Sequence, residues 1–141
     1  MDLPDLQRGV ITILHVDDDD DIRSIAAMAL GLASWPRLFQ FASGQEAIEA
    51  VESIKPDVLL LDVMMPGLSG EDTWQIIQQL PKMRAIPTIF MTARAENSYG
   101  LKLVDMGAIG VITKPFDPLT LADQIVTLLK ATDAVGNSSI H

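Results

Sequence analysis

The stretch Val58–Gly70, VLLLDVMMPGLSG, decides how the rest of the chain is read. It opens on an unbroken apolar run. A strand with one solvent face alternates apolar and polar residues, whereas a continuous run of this kind fits a strand buried on both faces. The run stops at a single acid, Asp62, and Pro66–Gly70 then reads as loop, rich in Gly, Pro and Ser.

Working outward, apolar runs keep alternating with amphipathic segments. Val10–Val16 (VITILHV) is rich in β-branched residues and ends in acids, which predicts a strand. Asp20–Ala33 carries Ile22, Ile25, Ala26, Ala29 and Leu32 at helical spacing, with acids in the first turn where they favour the helix dipole. That spacing turns Ile22, Ile25, Ala26 and Ala29 inward and leaves Ala27 and Met28 outward. Arg37–Ala42 predicts a short strand after the breaker Trp35–Pro36, and Gly44–Ile54 a helix with Ser43 and Glu46 as its capping box. Glu71–Leu80, Glu96–Met106 (ended by Gly107) and Pro118–Lys130 predict helices, and Ile86–Met91 and Ile109–Thr113 predict strands. Five βα units leave no room for a second domain. The expected organisation is an N-terminal extension over 1–9, one α/β domain over 10–130, and a flexible polar tail over 131–141. Strands alternating with helices imply a parallel sheet covered on both faces.

Bulk properties exclude several classes. The chain has 141 residues, 48% of them hydrophobic, enough for one packed core. It has no cysteine, so neither a disulfide framework nor a cysteine-ligated zinc site is available. The start MDLPDLQRG lacks the basic and apolar regions of a secretory signal. No apolar run approaches the ~20 residues of a membrane span. A cytoplasmic protein without membrane insertion is expected. The net charge of −9 argues against direct nucleic-acid binding, since a phosphate backbone would repel it.

In parallel α/β sheets ligands bind beyond the carboxyl ends of the strands, so polar residues placed there are the candidates. Asp17 and Asp18 follow the first strand, Asp62 ends the third, Thr92 the fourth, and Thr113–Lys114, then Pro115, the fifth. Crowded carboxylates repel unless a cation joins them. A site of two or three acids suits Mg²⁺, with Mn²⁺ as the alternative ion. An aspartate can act as nucleophile and form an acyl phosphate. Mg²⁺, Lys114 and the Thr92 hydroxyl would neutralise and orient the oxygens of a transferred phosphoryl group. Taken singly, Asp62 reads equally well as an ordinary strand-end acid, Thr92 as an N-cap and Lys114 as a surface charge. Their joint placement overturns those readings. Asp19, Asp20 and Asp21 read as a solvated helix start. A calcium loop would need Gly and a bidentate acid where Ile22 and Met28 stand. Gly67–Asp72 lacks the Gly-Lys-Ser/Thr of a P-loop. His15, Trp35 and Trp74 read as packing residues.

Four motifs, VDDD at Val16–Asp19 with Ile22–Arg23, LLLDVMMPGLSG at Leu59–Gly70, MTA at Met91–Ala93 and GAIGVITKPF at Gly107–Phe116, resemble the receiver domain of two-component response regulators. Each is weak alone; their order and spacing are specific. The resemblance implies a flavodoxin-like (βα)5 three-layer sandwich with a parallel five-stranded sheet in order 2-1-3-4-5. It makes Asp62 the phosphoacceptor, Asp18 a direct Mg²⁺ ligand, Asp17 a ligand acting mostly through water, and the Met64 backbone carbonyl the last protein ligand. Thr92 becomes the switch hydroxyl, Lys114 the partner of Asp62 and then of the phosphoryl group, and Lys114–Pro115 a cis peptide. The implied donor is the phosphohistidine of a sensor histidine kinase or histidine-phosphotransfer protein, and the signal passes to an unknown protein target. Such a domain catalyses its own phosphorylation and dephosphorylation without being a conventional enzyme.

Three positions depart from the family pattern. Val111 stands where many relatives carry a mobile aromatic, so coupling is expected to run instead through the backbone of the Thr92–Glu96 loop. Met64 and Arg94 border the expected route of an attacking water and would tune the lifetime of the phosphorylated form. A Mg²⁺-dependent hydrolase using Asp62 would want a second acid where Met64 stands. A degenerate, purely binding domain would lack the complete set Asp17, Asp18, Asp62, Thr92 and Lys114. Ala27 and Met28, outward beside the active-site edge, suit docking of a helical phosphotransfer partner.

Overall fold

The computed structural model describes residues 10–93 and 97–140. The extension 1–9, and Arg94 and Glu96 of the loop after Thr92, lie outside the described residues. In chain order the elements are β1 (Ile11–Val16), α1 (Asp20–Leu30), β2 (Pro36–Phe41), α2 (Gly44–Ile54), β3 (Val58–Asp62), α3 (Gly70–Gln78), β4 (Thr88–Thr92), α4 (Asn97–Asp105), β5 (Gly110–Thr113) and α5 (Leu121–Ile140). The strands pair in parallel in the order β2-β1-β3-β4-β5. This is the flavodoxin-like sandwich, and β3 lies at its centre with all five residues buried, as its unbroken apolar run requires.

The period of two along each strand sorts side chains to two cores. Ile11 and Ile13 of β1, Val58 and Leu60 of β3, and Ile89 and Met91 of β4 pack with Ala26 and Ala29 of α1 and Leu121 and Ile125 of α5. On the other face Leu14, Leu59, Leu61 and Phe90 pack with Val51 of α2, Trp74 of α3 and Leu103 of α4. Each such leucine or isoleucine contributes roughly 1.5–3 kcal/mol by leaving water. Trp74 closes its core with an edge-on contact to Phe90 at 5.5 Å between centroids.

Several local features differ from expectation, each for a physical reason. Ile25 is 40% exposed rather than inward, because Ala26 and Ala29 already hold α1 close to the sheet. The first helix ends at Leu30 instead of Ala33; bonds from Leu32 N to Ala29 O and Ala33 N to Leu30 O, 3.2 Å each, tighten its last turn. At α2 the Ser43 hydroxyl caps Glu46 N at 3.2 Å and donates to the Glu46 carboxylate at 2.9 Å. The reciprocal capping box belongs instead to Ser69 and Asp72, so α3 starts one residue earlier than Glu71. Pro87 has no N–H for the ladder, which delays β4 to Thr88. The helix α5 continues past Lys130 to Ile140.

Gly70 is required by contact. A Cβ built there lands on the Asp62 carbonyl oxygen and 3.1 Å from Val63 Cα, while Gly70 N donates to Val63 O at 3.0 Å. The start of α3 is thereby pressed onto the main chain that carries Asp62. Gly70→Ala should destabilise the fold by ~1–3 kcal/mol, the range for overpacking. It should also displace the Asp62 and Val63 amide resonances, read by urea unfolding and amide NMR.

His15 is fully buried on β1. Its Nδ1 lies 3.1 Å from Gln40 Nε2 on the paired strand, and its Nε2 has no hydrogen-bond partner among the described residues. Burial, then the charges of Lys114 and Arg23, push its pKa down to about 4 from 6.5. The unfolded chain therefore takes up this proton first as the pH falls. Stability carried by neutral His15 is complete above pH 6.5 and is lost between 6.5 and about 4, on the order of 3 kcal/mol. Urea unfolding of the metal-free protein should show this loss, and His15→Leu should flatten that part of the profile.

Candidate functional site

Parallel pairing brings the strand ends side by side, and backbone bonds extend the ladder just beyond them. Asp17 N donates to Phe41 O at 3.1 Å, Val63 N to Met91 O at 3.0 Å, and Lys114 N to Thr92 O at 2.7 Å. These bonds set the main chain on which the polar residues stand. Asp17 is fully buried, Asp62 and Thr92 nearly so, and Asp18 is exposed at the rim.

Lys114 holds the site together. Its Nζ lies 2.9 Å from Asp62 Oδ1 and 3.1 Å from Asp17 Oδ2. The other Asp17 oxygen accepts from Asp19 N at 2.9 Å. Asp62 and Asp17, expected together with Lys114 from their strand-end positions, both pair with it directly. Asp18 joins them: the three carboxylates can each offer an oxygen within 4.8 Å of the others. The Lys114–Pro115 peptide is cis. Thr92 ends β4 one residue beyond Met91, the register partner of Asp62.

The charges do not balance. Burial raises the pKa of Asp62; the Lys114 hydrogen bond opposes this, and the Asp17 charge adds to it. For Lys114 burial acts downward, but the hydrogen bonds and charges of Asp62 and then Asp17 outweigh it, and its pKa is raised. One ammonium is shared between buried carboxylates that want more positive charge than it carries. The donor set is all oxygen, closely spaced and in excess of its counter-charge, which fits a hard divalent cation.

Met64 has an exposed side chain, and its backbone amide acts to lower the Asp62 pKa. Val111 is half-buried on β5 and faces Gly100 of α4. Beside it, the Tyr99 hydroxyl donates to Glu71 Oε1 at 2.6 Å, tying α4 to α3. Arg94, and the loop segment expected to carry coupling, lie outside the described residues. A cleft of about 730 Å³ between Trp74, Arg84, Pro87 and Met106 shares no residue with this site.

Two contributors were not foreseen from sequence. Gly70 supports Asp62 from behind, and Arg23 donates from Nη1 to the Asp17 carbonyl at 2.6 Å. Arg23 stands inside the first motif, but only its position relative to the turn reveals what it touches. The pairing of His15 with Gln40 needed the β1–β2 register, which two short apolar runs leave open.

Comparison with known proteins gives the family of the chain. The family model described as response regulator receiver domain matches residues 13–126. The phosphate regulon transcriptional regulatory protein PhoB of Pseudomonas aeruginosa is 36% identical over 121 residues, covering 86% of this chain and 52% of that protein. The transcriptional regulatory protein YvrH of Bacillus subtilis is 37% identical, covering 86% and 50%. The chain thus spans about half the length of these curated relatives. Among solved structures, the chemotaxis response regulator CheY4 of Vibrio cholerae superposes with a TM-score of 0.77 at 25% identity, covering 84% of this chain and 98% of that one. A response regulator from Desulfuromonas acetoxidans gives 0.77 at 26%, covering 86% and 98%. With that family model matching residues 13–126, most of its length, the chain belongs to the receiver-domain family of two-component response regulators.

Proposed function

We propose that Asp62 accepts a phosphoryl group from a phosphohistidine on a sensor histidine kinase or histidine-phosphotransfer protein. The observation that carries this reading is the Lys114 ammonium, 2.9 Å from Asp62 Oδ1 and 3.1 Å from Asp17 Oδ2. It holds a buried carboxylate ready beside two others without satisfying their charge.

In the transfer, an Asp62 carboxylate oxygen attacks phosphorus. The P–O bond forms as the P–N bond breaks, and its electron pair stays on the donor imidazole. Asp62 must be ionised to attack. Burial resists ionisation, and the Lys114 hydrogen bond opposes that effect. As Asp62 loses its charge, Lys114 follows the charge onto the phosphoryl oxygens, and the Thr92 hydroxyl donates to one of them. Asp17, Asp18, Asp62 and the Met64 carbonyl would hold Mg²⁺ (or Mn²⁺), which supplies positive charge to those oxygens. Water attack at phosphorus breaks the P–O bond to Asp62, releasing inorganic phosphate and regenerating the carboxylate. The exposed Met64, with Arg94, would set how easily water enters. The domain signals through a protein target rather than by binding nucleic acid, in keeping with the net charge of −9.

With Mg²⁺ and phosphoramidate, the protein should gain an acid-stable, base-labile adduct that Asp62→Asn lacks. Turnover without any adduct would indicate a hydrolase, and no modification a binding module.

Exposed apolar side chains on α1 support one route for the partner's approach. Ile25 and Met28 on α1 and Leu119 in the β5–α5 connection are exposed apolar side chains beside the strand ends, Met28 and Leu119 at 74% and 78% exposure. A helical phosphohistidine domain docking on these side chains would cover them while reaching Asp62. Met28→Asp should slow phosphoryl transfer from the partner by about tenfold, the order expected for a buried interface side chain. Labelling by phosphoramidate should be unaffected.

A further inference from the structure

The Asp17 carboxylate has both oxygens engaged, one by Asp19 N at 2.9 Å and the other by Lys114 at 3.1 Å. Its direction therefore depends on the main chain beneath it. The N–H of Asp17 is bonded to Phe41 O, the last backbone bond from β2 to this strand end. The Asp17 carbonyl lies where the chain leaves the sheet to turn into α1, and it is met by Arg23 Nη1 at 2.6 Å. A buried carbonyl left without a donor is unfavourable and would let the turn rotate.

Arg23 is itself held at three points. Its N donates to Asp19 O at 3.1 Å, its carbonyl accepts from Gln40 Nε2 at 2.8 Å, and its Nη2 pairs with Asp20 Oδ1. The same Gln40 nitrogen lies 3.1 Å from His15 Nδ1. The chain of contacts His15–Gln40–Arg23–Asp17 thus locks α1 to β1 and β2 immediately under the acids. Asp20 is 88% exposed, so its ion pair adds little stability and serves to hold the guanidinium plane. A guanidinium can bond two acceptors in one plane; a lysine ammonium in its place would keep the charge and lose the fork.

We propose that Arg23 is a positioning residue for the cation site: it fixes the Asp17 main chain so that the buried carboxylate faces Lys114, Asp18 and Asp62. Resting on the reading of those acids as a Mg²⁺ site, the inference assigns Arg23 a role in metal affinity that is separate from its charge. Gln40 supports that role by holding the Arg23 carbonyl.

The test is Mg²⁺ binding to the unphosphorylated full chain by calorimetry, with Mn²⁺ binding by electron paramagnetic resonance alongside. Arg23→Lys should weaken Mg²⁺ binding by about tenfold, the scale of lost outer-shell support. It should raise the Mg²⁺ concentration needed for half-maximal labelling without lowering labelling at saturating Mg²⁺. Gln40→Met should shift affinity the same way by a smaller factor. Arg23→Lys that keeps the native circular dichroism and wild-type Mg²⁺ affinity overturns the inference. Should Arg23→Lys fail to fold, unchanged Mg²⁺ affinity in Gln40→Met overturns it instead. Wild-type protein that binds no Mg²⁺, or Asp17→Asn that binds it as well as wild type, overturns the site reading and the inference together.

Discussion

One ammonium stands between two buried carboxylates, and the rest of the site is organised around it. Lys114 reaches Asp62 and Asp17 at once from the end of β5, with Asp18 at the rim. Buried acids in such proximity would repel each other and drive one toward protonation. The lysine prevents that collapse without abolishing the excess of negative charge. The excess makes a divalent cation welcome and leaves a carboxylate able to act as a nucleophile.

The parallel sheet makes this arrangement affordable. Every strand points its carboxyl end the same way, so residues far apart in sequence gather at one edge without any special loop. Two cores clamp the sheet from both faces, and β3, apolar up to its last residue, anchors Asp62 at its end. The approach of Gly70 to the Asp62 main chain shows how little slack remains there. The start of α3 also carries Glu71, which accepts from the Tyr99 hydroxyl and ties α3 to α4.

The helix α1 serves two surfaces. One face carries Ala26 and Ala29 into the core and Arg23 onto the Asp17 main chain; the other exposes Ile25 and Met28 beside the strand ends. Such a helix must be rigidly seated on the sheet for either surface to keep its place. Gln40 provides part of that seating through a polar contact, where an apolar side chain would leave the Arg23 carbonyl and His15 without a partner.

Much of this was legible in the chain itself. An unbroken apolar run can only be satisfied by burial on both faces, and acids, a threonine and a lysine directly after such runs must meet when the strands are parallel. That logic located Asp17, Asp18, Asp62, Thr92 and Lys114, because it depends on period and order alone. Contacts that depend on side-chain direction were not legible. The Arg23–Asp17 clamp, the His15–Gln40 pair, the outward turn of Ile25 and the closeness of Gly70 to Asp62 follow from strand register and helix rotation. Sequence alone determined which chemistry is present and at which edge of the sheet it gathers. Tertiary structure alone decided how firmly each group is held, because a rotation of one helix or a shift of one strand changes every such contact while leaving the hydrophobic pattern intact.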